Sequence, residues 1–97
     1  MSDSPAPHLE SRVRRKDDVP WKKLDDLVVV LDLSSGDFFE LDEVASLLWN
    51  ALDGARTLAG HAQMLVDVYG IDVESARSDV IAFISELDSK GLVVIAG

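Results

Sequence analysis

The chain has 97 residues, 47% of them hydrophobic, enough for one packed core and too few for two. Nine Lys and Arg against 18 Asp and Glu give a formal net charge of -9, a balance that repels phosphate backbones and predicts no nucleic-acid partner. The absence of cysteine excludes disulfides, thiolate metal sites and iron–sulfur clusters held by this chain, and no apolar run has signal-peptide or membrane-spanning length, so a soluble cytoplasmic protein without a membrane partner is expected.

Residues 1–18 show no hydrophobic period and are expected to form a flexible N-terminal arm, leaving 19–97 as the folded domain. The arm carries Arg12, Arg14, Arg15 and Lys16 just before Asp17 and Asp18. This cluster reads either as an electrostatic hook for an acidic partner or as a solvated tail. Pro20 then fixes a turn or an edge position, because it cannot donate to a sheet ladder.

From Val19 to Leu41 the pattern is that of strands. Val19 to Lys23, Leu27 to Leu33 and Asp37 to Leu41 are separated by Asp25-Asp26 and Ser34-Ser35-Gly36, the small and polar residues that tight turns require, which predicts a three-stranded meander. The remainder has helical spacing. Asp42 is placed to cap a helix over 43–53 with Gly54 as its stop, Thr57 to cap a second that ends at Gly70, and Asp72 to cap a third running to Lys90. Leu92 to Ile95 then adds a strand or packs back on the core. The order predicts an α+β fold, a three-stranded antiparallel sheet followed by three helices, with a winged helix-turn-helix-like arrangement.

That likeness raises the alternative of a winged-helix DNA-binding regulator. A recognition helix should show Arg, Lys, Asn or Gln to the groove, whereas the third helix offers Arg77 and Lys90 against Glu74, Asp79, Glu86 and Asp88. Catalysis has no better footing. His8 and His61 sit in no metal-ligand pattern, there is no G-x-S-x-G elbow or phosphate loop, and Asp25-Asp26 are merely adjacent in a turn, so no enzyme and no cofactor is expected. The string Phe38-Phe39-Glu40-Leu41 superficially looks like the segment before a carrier protein's attachment serine. It continues Asp42-Glu43-Val44-Ala45-Ser46 rather than into a Gly-Gly and Asp/His-Ser-Leu site, and Ser46 reads as a helix surface residue.

The third helix is asymmetric. Val73, Ala76, Val80, Phe83 and Leu87 fall in one narrow arc expected to face the core, while Arg77, Ile81, Ile84 and Asp88 form a second line roughly 60 to 120° away. That line reads either as a broadly buried helix or as one wall of a groove. In the third strand, alternation puts Phe39 and Leu41 on one face and Phe38 and Glu40 on the other. If this strand is an edge, a peptide added to it would gain main-chain hydrogen bonds, with Phe38, Ile81 and Ile84 receiving its side chains. Such an edge also allows two copies to pair.

The run Val19-Pro20-Trp21, then Val28-Val29-Val30-Leu31-Asp32-Leu33, Ser35-Gly36, Phe39, Leu41-Asp42, Ala45, Leu48-Trp49, Leu52-Asp53-Gly54, Arg56-Thr57, Tyr69, Asp79-Val80, Phe83, Leu87 and Gly91-Leu92-Val93 resembles the PqqD-like family. Its members are precursor-peptide recognition elements of ribosomal peptide natural-product pathways. The resemblance covers nearly all of the chain from Val19 to Val93, and the family's usual Leu-Asn opening of helix one stands here as Leu41-Asp42. It implies a winged-helix-like domain without an active site. Such a domain binds a precursor's leader peptide as an extra strand between the third strand and third helix. It presents the peptide to a partner such as a radical S-adenosylmethionine enzyme, a leader peptidase or a cyclase. Carried onto this sequence, the peptide-binding positions are Asp37, Phe38, Phe39 and Glu40 on the strand and Arg77, Ile81, Ile84 and Asp88 on the helix.

Overall fold

The computed structural model describes residues 6–33 and 35–96. In chain order these form strands β1 (Arg12–Arg15), β2 (Trp21–Leu24), β3 (Leu27–Asp32) and β4 (Asp37–Leu41), helix α1 (Glu43–Ala51), strand β5 (Asp53–Thr57), helices α2 (Leu58–Tyr69) and α3 (Val73–Ser89), and strand β6 (Val93–Ala96). The expected meander is present as an antiparallel sheet of order β2-β3-β4, with Val30 opposite both Trp21 and Phe39. Asp25 makes the first hairpin with a left-handed backbone (φ 56°), which a short polar side chain tolerates. Ser34 of the second turn lies outside the described residues.

The helix starts follow their caps. The Asp42 carboxylate accepts from Ala45 N–H at 2.8 Å, the Thr57 hydroxyl from Gly60 N–H at 3.2 Å, and Asp72 from the Glu74 and Ser75 amides at 3.1 and 3.2 Å. Gly70 closes α2 in the left-handed conformation, φ 66°.

Two expectations about element bounds need correction. The segment 1–18 is not an unstructured arm throughout: Arg12–Arg15 is the central strand of a second antiparallel sheet, order β5-β1-β6, in which Val13 is fully buried. Further bonds lock it in place, from Arg15 N–H to the Leu52 carbonyl and from Lys16 N–H to the Leu92 carbonyl. Residues 1–5 lie outside the described residues. The second correction concerns α1, which ends at Ala51 rather than at 53, because Asp53–Thr57 pairs with β1 as β5. Among the described residues there are therefore two three-stranded sheets, not one, with three helices. The tail after α3 does add a strand, β6, along β1.

The core joins both sheets to all three helices through Val13, Val28, Val30, Leu41, Leu48, Trp49, Leu58, Leu65, Val80 and Leu87, all buried. Ser46, expected on the surface of α1, is buried as well. Its Oγ accepts from Val28 N–H at 2.9 Å and donates to the Leu41 carbonyl at 3.0 Å, stitching α1 to the end of the β3–β4 ladder.

Candidate functional site

The serine bridge fixes which backbone groups of β4 are free. Val28 and Leu41 are opposite one another, and Val28 N–H points toward β4 to reach Ser46. By antiparallel alternation the pairs Val30–Phe39 and Asp32–Asp37 are likewise of the bonding type, whereas Phe38 and Glu40 direct their N–H and C=O away from β3. Leu31 N–H agrees with this phase, since it donates to the Pro20 carbonyl on the β2 side at 2.9 Å. Because β4 ends its sheet among the described residues, Phe38 and Glu40 offer main-chain donors and acceptors to an open edge.

That edge opens into a groove of about 560 Å³ between β4 and the C-terminal half of α3. Phe39, Leu41, Ala45 and Phe83 make its apolar floor, and Phe38, 69% exposed, stands at its rim. Lys90 places its Nζ 5.7 Å from the centre of the Phe39 ring, so the helix end leans over the strand aromatic. Glu86 on α3 and Asp37, Glu40 and Asp42 on the strand side also line the groove, making its electrostatic field predominantly acidic.

The four strand positions expected from sequence, Asp37, Phe38, Phe39 and Glu40, all line this groove. The four helix positions do not. Ile84 is 1% exposed and belongs to the core. Arg77 and Ile81 line a separate hollow with Leu9, Glu74, Ser78 and Ala82, and Asp88 lines neither. The cause is the rotation of α3. At about 100° per residue, the buried residues Ala76, Val80, Ile84 and Leu87 span an arc of roughly 80°. Phe83, Glu86 and Lys90 flank that arc on one side, Arg77, Ile81 and Asp88 on the other. The groove lies on the first flank. Phe83, expected in the core, is only partly buried and serves as groove floor. The 4-4-3 spacing of Ala76, Val80, Ile84 and Leu87 is the signal that would have placed the core arc correctly.

His61 does not line the groove. It is buried in α2 with neither ring nitrogen hydrogen-bonded, and burial pushes its pKa below the usual histidine value, helped by the Arg56 charge and opposed by Asp53. Among the described residues, no group of His, Asp and Glu is disposed to hold a metal ion, and no helix is long and apolar enough to cross a membrane.

The family model of coenzyme PQQ synthesis protein D (PqqD) matches residues 28–93, the stretch from β3 to the start of β6. Among solved structures, TbiB1 in complex with the TbiA(beta) leader peptide is 29% identical, with a TM-score of 0.74, over 82% of this chain and 93% of that one. Lasso peptide synthetase B1, complexed with its leader peptide, is 25% identical, with a TM-score of 0.75, over 86% of this chain and 98% of that one. The PqqD truncation of Methylobacterium extorquens PqqCD, described as a functional stand-alone recognition element for ribosomally synthesized and post-translationally modified peptides, shares the fold at 23% identity. Its TM-score is 0.68 over 84% of this chain and 86% of that one. No curated protein sequence matches the chain significantly. With residues 28–93 matched by the family model and its architecture shared with these structures, the chain belongs to the PqqD family.

Proposed function

We propose that this chain is a non-catalytic recognition element that binds the leader segment of a ribosomally made precursor peptide as an added strand on β4 and presents it to a separate modifying enzyme. The observation that carries this reading is the coincidence of an open strand edge with an apolar-floored groove. Main-chain groups of Phe38 and Glu40 supply hydrogen bonds of any sequence, and the floor of Phe39, Leu41, Ala45 and Phe83 selects the side chains that point inward. A five-residue edge matches an extended peptide segment of about 17 Å. The leader-peptide complexes of TbiB1 and of lasso peptide synthetase B1 support carrying that ligand class to this chain.

The helix wall of the site in this proposal is Phe83, Glu86 and Lys90. The modifying enzyme belongs to the classes that the family resemblance implies, a radical S-adenosylmethionine enzyme, a leader peptidase or a cyclase. Holding the leader beside such an enzyme makes their encounter effectively intramolecular, at concentrations on the order of mM. Ordering a disordered leader costs about 2 to 5 kcal/mol, and a pre-formed edge reduces what else must be ordered. A winged-helix-like reading of the helices and the β3–β4 hairpin accompanies the proposal, but nothing in the groove favours DNA: its lining is acidic.

The test is a titration of isotopically labelled protein with the leader half of a short precursor encoded beside this chain. Saturable amide shifts confined to Asp37–Leu41 and the Phe83–Lys90 side of α3 are expected. Shifts centred on Arg77 and Ile81, or none, refute the groove.

A further inference from the structure

The basic cluster has no part in the groove, and the fold has made it something other than a tail. Six of the nine cationic residues of a chain with net charge -9 lie between Arg12 and Lys23, with only Asp17 and Asp18 as acids among them. β1 is held from both sides by β5 and β6, so Arg12 and Arg14 project from a fixed strand on the face opposite buried Val13. Lys22 and Lys23 project to opposite faces of β2, the edge strand farthest from β4. Between β1 and β2 lies a hollow of about 350 Å³, whose lining includes Arg14, Arg15, Lys16 and Trp21 together with the two acids Asp17 and Asp53.

Not all of these charges are free. Arg15 is spent inside the protein: its guanidinium donates to the Trp49 and Asn50 carbonyls at 2.6 and 3.1 Å and lies 5.2 Å from the centre of the Trp21 ring. Arg14 meets Asp17 at 3.7 Å, a loose contact because the two side chains are 48% and 97% exposed. Lys16, Lys22 and Lys23 make no ion pair among the described residues, and all three are exposed. The pole therefore combines rigid backbone, unspent cations and a concave centre. Arg12 also donates to the Ala55 carbonyl at 3.3 Å, which leaves Lys16, Lys22 and Lys23 as the charges without an ion pair among the described residues, a local exception in a chain of net charge -9.

We infer that this β1–β2 pole is a docking surface for a short carboxylate-rich segment of a partner protein. Charge complementarity selects the sign, and size selects the class. Each strand has four residues, about 13 Å, and beyond it the surface is acidic, so a long polyanion that overran the patch would meet repulsion a short segment avoids. The concavity suits individual side-chain carboxylates better than a flat anionic sheet of lipid. Since β2 and β4 are opposite edges of one sheet, this partner and the peptide of the groove can be held together.

The experiment uses the full chain, isotopically labelled, in low salt, titrated with a peptide of alternating glutamate and glycine. Saturable amide shifts in Arg12–Lys16 and Trp21–Lys23, including the Trp21 indole, are expected, with affinity falling at least about tenfold when salt is raised to roughly 0.2 M. Lys16→Glu combined with Lys22→Glu should weaken binding by a further factor of about ten, and the milder Lys16→Gln with Lys22→Gln by about three to five, while leader-induced shifts at β4 persist. If the charge reversals impair folding, the glutamine pair decides. Absence of saturable shifts, shifts elsewhere, or unchanged binding by a folded glutamine pair overturns the proposal. So does tighter binding of an oligothymidylate of equal charge or of phosphatidylserine vesicles than of the peptide.

Discussion

Glu40→Pro tests strand addition at its most specific point. Position 40 directs its N–H to the open side of β4, while the ladder to β3 is carried by Phe39 and Asp37. Proline removes that one donor, and its ring projects where a paired peptide would lie. It leaves the β3 side of the strand intact, as proline on edge strands generally does. The fold should lose less than about 1 kcal/mol, because no ladder bond breaks and Glu40 is exposed. Binding loses the net hydrogen bond, about 0.5 to 1.5 kcal/mol, and strands a peptide carbonyl against the ring, about 1 to 3 kcal/mol more. Together these predict a leader affinity lowered roughly tenfold or more. The assay is calorimetric or amide-shift titration with leader peptide, beside Glu40→Ala, which keeps the donor and reports the carboxylate alone. A folded Glu40→Pro protein that binds leader as tightly as Glu40→Ala refutes strand addition at this edge.

Ile84→Ala should lower stability by about 2 to 5 kcal/mol in a denaturant melt, since the side chain is 1% exposed in the core, and Ile84→Asp should prevent folding rather than selectively weaken peptide binding. Phe83→Ala should weaken leader binding several-fold in the same titration, whereas Ile81→Ala, on the other flank of α3, should change it by less than about twofold. His61 gives a pH dependence. Its folded pKa lies below the unfolded value of 6.5, so the unfolded chain takes up the proton first. Stability is therefore full above pH 6.5 and falls as pH drops through the folded pKa. His61→Leu, which also removes two buried nitrogens lacking partners, should remove this component from melts between about pH 7 and 5.

The parts of the fold legible in the sequence are those specified by neighbours. Asp42, Thr57 and Asp72 cap because a short polar acceptor stands just before an apolar period, and the β2-β3-β4 meander shows as Val and Leu runs between turn residues. β1 was hidden because Arg-Val-Arg-Arg contains one apolar residue, and its strand conformation depends on partners some 40 and 80 positions away in the chain. β5, Asp-Gly-Ala-Arg-Thr, has almost no side chain to bury, and Gly54 reads locally as a helix stop. The groove divides in the same way. Alternation in Phe38-Phe39-Glu40-Leu41 settles which strand residues face inward, but the periodicity of α3 left the rotation of its core arc open by several tens of degrees. Ile81 made the wrong flank look like the apolar wall. The wall of the groove beside β4 has Phe83 followed by Glu86 and Lys90, two charged residues that nothing in the helical period singles out.

The two edges of the β2-β3-β4 sheet are treated differently, and the difference bears on how the chain stays receptive without pairing to itself. In β2, Lys22-Lys23 put two desolvation-averse charges in the middle of the strand, a feature that discourages strand addition. β4 has no proline and no lysine, and it carries aromatics instead. Its safeguard is charge of one sign: in an antiparallel β4–β4 pair centred on Phe39, the two Glu40 side chains would lie diagonally on one face, with Glu86 of each α3 adding acidic charge beside the edge. A peptide lacking acidic residues at those positions escapes that cost, and one bearing Lys or Arg gains from it. Under the proposed function, the same carboxylates that oppose pairing of the edge with a second copy bias it toward a neutral or basic leader.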